Sequence, residues 1–255
     1  DARKNSSGWG ALAEQKDQSF RYVIDNIFSY NNEWNKLIYS VMLGHSFEKY
    51  TYEQFGAKSD NYANGAFPSS NFDLINAGPN IYAGNISYTS YALESYFGRI
   101  ALNWDNKYIL NASLRSDGSS RFAPDNRWGL FPSFSAGWRI SEEKFMKGLP
   151  IDNLKLRASW GKLGNNAIGN YEWQAVYNSA KYAFGGSLNN GLAITSISNN
   201  LLEWESTAIT NIGIDFATLR NRLTFEAEFY NKVTDGILYR PDMYMSLGTA
   251  SGPRQ

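Results

Sequence analysis

The chain has 255 residues, with 24 Lys plus Arg against 24 Asp plus Glu, a formal charge of zero and no cysteine. The balanced charge points away from nucleic acid, and without cysteine neither a disulfide scaffold nor a thiolate metal site can be built. No apolar run approaches the roughly 18 residues of a spanning helix, which excludes a helical membrane protein.

Eight strands are predicted in chain order, over about 19–30, 36–48, 92–104, 107–117, 128–140, 153–164, 205–219 and 222–235. In the first, Tyr22, Ile24, Phe28 and Tyr30 alternate with Arg21, Asp25 and Ser29. Residues 128–140 repeat the code, with Trp128, Leu130, Phe134, Ala136 and Trp138 against Gly129, Ser133, Ser135, Gly137 and Arg139. Residues 222–233 carry it most cleanly, setting Leu223, Phe225, Ala227 and Phe229 against Thr224, Glu226, Glu228, Tyr230 and Lys232. Successive side chains of a strand point to opposite sides, so each segment has one apolar and one polar wall.

The joints largely alternate in length. Tight turns are predicted at Asn31-Asn32-Glu33-Trp34, Trp104-Asp105-Asn106-Lys107 and Arg220-Asn221-Arg222 from their Asn, Asp and charged residues. Long polar connections lie at 49–91, 165–204 and from 236 onward. The first of these, with Gly56, Gly65, Pro68, Gly78, Pro79 and Gly84, is read as a long loop without structure of its own. Two middling joints, 118–127 and 141–152, break the rhythm, and residues 141–149 of the second read as one helical turn capped by Ser141 and stopped by Gly148.

Alternation alone leaves two homes for such a chain. A soluble β-sandwich or propeller turns its apolar side inward, and an outer-membrane barrel turns it outward. Most of the predicted strands run ten residues or more, against a usual five or six, and strands of about 9–11 residues cross a hydrocarbon layer when tilted. Trp34, Trp104, Tyr108, Trp128, Trp138 and Tyr230 sit near strand ends, as an interfacial girdle requires. Both features favour the barrel. The alternative is a secreted sandwich or propeller module that binds carbohydrate, with a β-rich glycoside hydrolase as a third reading.

The candidate chemistry is sparse. His45 is the single histidine and has no ligating partners in its strand. Gly161-Lys162-Leu163-Gly164 has the wrong spacing for a phosphate loop, and Asp117-Gly118-Ser119-Ser120 with Asp125 lacks the closing Glu of a calcium loop. Glu226 with Glu228, or Glu203 with Glu205, resembles a glycosidase pair in spacing, although acids on a wet wall are ordinary. No catalytic residue, metal ligand or cofactor is expected. Loop tips carry function more often than scaffold does, so Tyr171, Trp173, Tyr177 and Tyr182 are the expected substrate contacts, through stacking on sugar rings.

Ordered words across residues 92–240 then carry a resemblance. They include Ser95-Tyr96-Phe97-Gly98-Arg99, Arg115-Ser116-Asp117-Gly118-Ser119-Ser120-Arg121-Phe122, Asn126-Arg127-Trp128-Gly129-Leu130-Phe131-Pro132-Ser133, Leu154-Lys155-Leu156-Arg157-Ala158-Ser159-Trp160-Gly161 and Asn211-Ile212-Gly213-Ile214-Asp215-Phe216. In these words the chain resembles the barrel of SusC/RagA-type TonB-dependent transporters, and residues 1–91 match in style alone. Where that family often reads Asn-Pro-Asp-Leu-Lys-Trp-Glu, this chain has Asn199-Asn200-Leu201-Leu202-Glu203-Trp204-Glu205, so the preceding turn is expected to differ. The resemblance implies an all-β, antiparallel, up-and-down transmembrane barrel in the bacterial outer membrane, of which this chain supplies about eight strands of roughly 22. It implies that residues 1–255 are part of the barrel domain, with the plug and both ends of the barrel absent from this sequence. It also implies import of glycan or peptide oligomers, beneath a SusD-like surface lipoprotein, surrounded by outer-membrane lipid and driven by the TonB-ExbB-ExbD complex.

Overall fold

A computed structural model of the chain describes residues 3–4, 10–62, 80–83 and 87–241. Strands dominate: β1 Arg3–Lys4, β2 Gly10–Trp34, β3 Leu37–Tyr62, β4 Asn80–Ala83, β5 Ser87–Trp104, β6 Tyr108–Ser119, β7 Trp128–Arg139, β8 Ile151–Asn165, β9 Val176–Phe184, β10 Ser187–Ser196, β11 Glu205–Thr218 and β12 Leu223–Asp235. The main sheet has the order β1-β2-β3-β5-β6-β7-β8-β11-β12, with β4 paired to β3, and β9–β10 form a separate hairpin. Neighbours in the chain are neighbours in the sheet, antiparallel throughout the pairings from β5 to β12. This is the expected up-and-down topology, and among the described residues the sheet stays open, with β1 and β12 at its edges.

The chain forms two compact units, Asp1–Tyr22 with Lys49–Tyr91, and Val23–Glu48 with Ala92–Gln255. In the first, Tyr50 and Tyr91 stack at 5.4 Å and Thr51 Oγ1 donates to the Phe20 carbonyl at 3.5 Å. The second holds β5 from Ala92 onward, β6 to β12 and the turns that join them, with the stretch of β2 and β3 around their turn.

Three differences from the sequence reading have local causes. The first tight turn falls later than predicted, because β2 runs on to Trp34 and the chain reverses at Asn35, which takes the left-handed conformation at φ 54°. Asn32 stays extended with its side chain engaged, donating to Tyr30 Oη at 2.8 Å and accepting from the Glu33 amide at 2.8 Å. The stretch 49–91 is not all loop: β3 continues to Tyr62 and β4 pairs back on it through Ala57↔Ala83 to Asp60↔Asn80. Gly65, Pro68, Gly78, Pro79 and Gly84 lie outside the described residues. Within 165–204 the hairpin β9–β10 was hidden by its polar, weakly alternating composition.

The joint after β7 holds two 3₁₀ turns, Ile140–Glu142 and Lys144–Met146, where a single capped helical turn was expected. Neither has a side-chain cap, and Ser141 Oγ is buried without a hydrogen-bond partner. The joint is held by Glu143. Tyr108 Oη donates to its Oε1 at 2.7 Å, Trp138 Nε1 to the same oxygen at 3.2 Å and Lys107 Nζ to Oε2 at 3.4 Å. The hydrogen bonds from Tyr108 and Trp138, with Lys107 beside them, hold the Glu143 carboxyl below the usual carboxylate range. A lowered folded value means that this contribution is complete above the ordinary glutamate pKa of about 4.3 and fades as the pH falls through the folded value. Glu143→Gln is therefore expected to lower the thermal unfolding midpoint of the full-length protein at pH 7. The gap to wild type should close as the pH drops below about 4, and a gap constant with pH would refute the assignment.

Candidate functional site: a two-faced wall

The outward wall is built by one parity of every strand. Across β5 to β8 the pairs Ile100↔Ala112, Ala112↔Phe134, Phe134↔Trp160 and Ala136↔Ala158 run side by side. The surface continues through Ala158↔Ile212 and Ile212↔Phe229 to β12. These side chains are uncovered: Phe134 is 56% exposed and Phe229 71%. A soluble sandwich would bury such a face, so its exposure across six strands speaks for lipid. Aromatic side chains close the band at both ends. Tyr108 and Trp138 stack at 6.4 Å at the short-turn end, and Tyr96 and Trp128 lie 6.0 Å apart at the long-loop end. Trp128 and Trp138 are ten residues apart on β7, which spans roughly 33 Å along a strand and about 25 Å in height at a tilt near 40°, the height of an outer-membrane apolar band. Tyr230, expected in the girdle, sits instead on the other wall, opposite Asn211.

The inward wall is a ladder of small polar side chains that ends in a charge cluster. Ser113 and Ser133 hydroxyls meet at 2.7 Å, and Asn111 Nδ2 donates to Ser135 Oγ at 3.2 Å. Below them Arg157 gathers three carboxylates: Nε donates to Asp215 at 3.2 Å, and Nη2 to Glu226 at 2.5 Å and Glu228 at 2.8 Å. Lys155 stands 3.7 Å from Asp215, and Asn211 Nδ2 donates to Glu228. The guanidinium lies flat on β11 because Gly213 is opposite it; a Cβ there would fall 2.8 Å from Arg157 Cζ. Glu226 and Glu228 do share a face, but Arg157 Nη2 binds one oxygen of each and so stands where a sugar flanked by a hydrolase pair would sit. His45 lies 3.4 Å from Glu94 through Nε2, with its ring 4.9 Å from Tyr96. Among the described residues no group of His, Asp and Glu could hold a metal ion.

At the long-loop end the connections 120–127 and 166–204 share a core. Phe122, Ile168 and Leu202 are buried, with Trp173, Trp204 and Leu238 packed around them. Polar ties lock the rim: Trp204 Nε1 donates to the Arg127 carbonyl at 2.8 Å, Asn126 Nδ2 to the Asn200 carbonyl at 2.9 Å, and Arg121 Nε to Asn170 Oδ1 at 3.1 Å.

This arrangement separates the expected contact residues. Trp173 belongs to the loop core, and its Nε1 is buried without a hydrogen-bond partner. Tyr171 is exposed in a turn with φ 64°. Tyr177 and Tyr182 are exposed on β9, five residues apart and so on opposite faces of the hairpin. The Tyr182 ring rests over Gly191, where a Cβ would fall 2.9 Å from it. The sequence reading missed the Arg157 cluster, although the shared parity of Lys155 with Arg157 and of Glu226 with Glu228 was its visible trace. It also missed Phe122 and Leu202, which no periodicity marks.

Residues 2–252 match the family described as TonB dependent receptor-like, beta-barrel. A TonB-dependent receptor of Formosa agariphila is 36% identical over 233 residues, covering 89% of this chain and 21% of the relative. The TonB-dependent receptor SusC of Bacteroides thetaiotaomicron is 39% identical over 160 residues, 59% of this chain and 16% of SusC. In structure, a chain of the RagAB peptide transporter superposes with a TM-score of 0.84 at 27% identity, over 98% of this chain and 27% of that one. The chain thus spans about a sixth to a quarter of the length of these relatives.

Two outcomes follow for the wall. Ala136→Arg, on the outward face, is expected to cost about 2–4 kcal/mol of barrel stability and Ser135→Arg, its inward neighbour, far less. Urea unfolding of the full-length protein in lipid vesicles measures both, and equal costs would overturn the face assignment. Arg157→Met should lower the thermal midpoint by leaving three carboxylates facing one another, and adding Glu226→Gln with Glu228→Gln should recover much of it. If the triple variant recovers nothing, packing rather than charge explains the loss.

Proposed function

Since the chain belongs to the TonB-dependent receptor-like beta-barrel family, whose members sit in the outer membrane of Gram-negative bacteria, we propose that it forms one arc of a transporter wall that admits oligosaccharides or peptides under TonB control. The observation that carries this reading is the two-faced sheet: an exposed apolar band about 25 Å high, backed by a continuous polar ladder. Such a wall holds a hydrophilic passage open in lipid and performs no bond chemistry itself. The remaining strands and the plug come from parts of the protein outside this sequence. Energy enters through a segment that contacts the TonB-ExbB-ExbD complex, and a SusD-like lipoprotein covers the long-loop end. The RagAB peptide transporter, among the similar structures, supports the peptide reading of the cargo, and the oligosaccharide reading rests on the resemblance carried by the ordered words of residues 92–240.

On this reading Tyr171, Tyr177 and Tyr182 reach cargo from the long-loop end, while Trp173 belongs to the loop core. Cells lacking the full-length gene should lose uptake of one class, fluorescent oligosaccharides or fluorescent oligopeptides, and complemented cells should lose it again when the proton-motive force is dissipated. Unchanged uptake of both classes would sink the transport reading. Tyr177→Ala and Tyr182→Ala should each weaken cargo binding by an amount worth about 0.5–1.5 kcal/mol per ring, measured by calorimetry on the purified full-length protein.

A further inference from the structure

We propose that the joint between β7 and β8, residues 140–150, is a membrane anchor that binds the anionic headgroups of phospholipids at the short-turn end of the barrel. It rests on the outer-membrane placement of the sheet and not on the identity of the cargo.

The first observation is the side of the sheet on which the joint lies. Two of the three donors to Glu143 are Tyr108 and Trp138, both on the outward parity at the lower edge of the apolar band. A segment whose carboxylate is gripped by two outward girdle side chains lies against the outward face, at the level where aromatic girdles meet headgroups. Its far end is tied as well, since Thr218 Oγ1 donates to the Pro150 carbonyl and the Asn221 amide donates to Asp152 Oδ2 at 2.9 Å.

The second observation is what the segment presents once it is held there. Phe145 is 67% exposed and Leu149 51%, four residues apart and flanking Gly148, whose φ of 93° turns the chain back. In water these two side chains are a liability; beside the apolar band they extend it. Lys144, just before Phe145, and Lys147, between the two, are exposed, and among the described residues neither forms an ion pair. The nearby acids are engaged: Glu143 by its three donors, and Glu142 by Arg139 at 3.4 Å. The surface left is therefore two apolar side chains and two ammonium groups at headgroup depth, the composition that binds an anionic bilayer surface. A free phosphate would use the lysines but leave Phe145 and Leu149 without a role, which selects the lipid. Short turns mark the periplasmic end of such barrels, so the target is the inner leaflet.

The test uses the full-length transporter in nanodiscs made of phosphatidylglycerol and phosphatidylcholine in equal parts. Nitroxide labels are placed one at a time through Phe145→Cys, Leu149→Cys and, as an aqueous reference in the β9–β10 hairpin, Ser187→Cys. At the first two positions oxygen should relax the label while a soluble nickel chelate collides with it several-fold less often than at Ser187→Cys. Equal collision at all three positions would overturn the anchor. The double variant Lys144→Gln/Lys147→Gln should lower the preference for phosphatidylglycerol over phosphatidylcholine, counted by mass spectrometry of co-purified lipid, on the order of ten- to thirtyfold. An unchanged preference would remove the headgroup from the proposal. Both readouts are independent of uptake, so failure to transport either class of cargo leaves them standing.

Discussion

A bilayer offers no hydrogen bonds to a peptide, so a chain crossing it as strands must pair every backbone N–H and C=O with another strand. That demand forces long, unbroken ladders, and the ladders then decide what each side chain can do. Between β11 and β12 the register runs without a shift from Ser206↔Asp235 to Thr218↔Leu223. A slip of one residue would carry Glu226 and Glu228 into lipid and Phe225 and Phe229 into the lumen. The alternation of residues and the continuity of the ladder are thus one constraint, and the two walls are its consequence.

The walls differ in how they treat polarity. On the outward side carboxylates are gripped at the two rims, where Glu143 takes hydrogen bonds from Tyr108 and Trp138 and Glu94 takes one from Tyr96 at 2.7 Å. Ring and carboxylate together mark where apolar medium gives way to headgroup and water. On the inward side charge is neutralised along a strand, as where Arg115 Nε meets Asp117 at 2.7 Å, and also across strands, because a side chain's near partners on a sheet include those on the adjacent strands. Arg157 on β8 reaches Asp215 on β11 and both glutamates on β12, crossing three strands with one guanidinium. A lysine offers no comparable fork.

The long-loop end follows a different rule. Freed from the bilayer, residues 120–127 and 166–204 build a small hydrophobic core of the soluble kind around Phe122, Ile168 and Leu202. Trp204, at the base of β11, joins the two regimes: its ring contacts Phe122 and Phe131 at 5.3 Å each, and its Nε1 fixes the Arg127 carbonyl. A rim ordered in this way can hold exposed tyrosines in place, whereas a loose one would spend binding energy on ordering them.

The sequence by itself determined the eight long strands of the main sheet, their two faces and their up-and-down order, since all three are local: period two reads out neighbours in the chain, and Asp105, Asn106 and Asn221 mark reversals because Asn and Asp tolerate positive φ. The ordered words of residues 92–240 placed the chain in its family before any coordinates did. Tertiary structure alone decided the rest. Arg157 meets its acids across 58 to 71 residues of chain, and no local period encodes that meeting. Phe122 packs from one loop against Leu202 and Trp204 from another. The four expected aromatic contacts were legible as loop residues, yet strand parity on β9 sends Tyr177 and Tyr182 to opposite faces and packing draws Trp173 into the core. Residue type is written along the chain, whereas contact depends on which distant segments the register brings together.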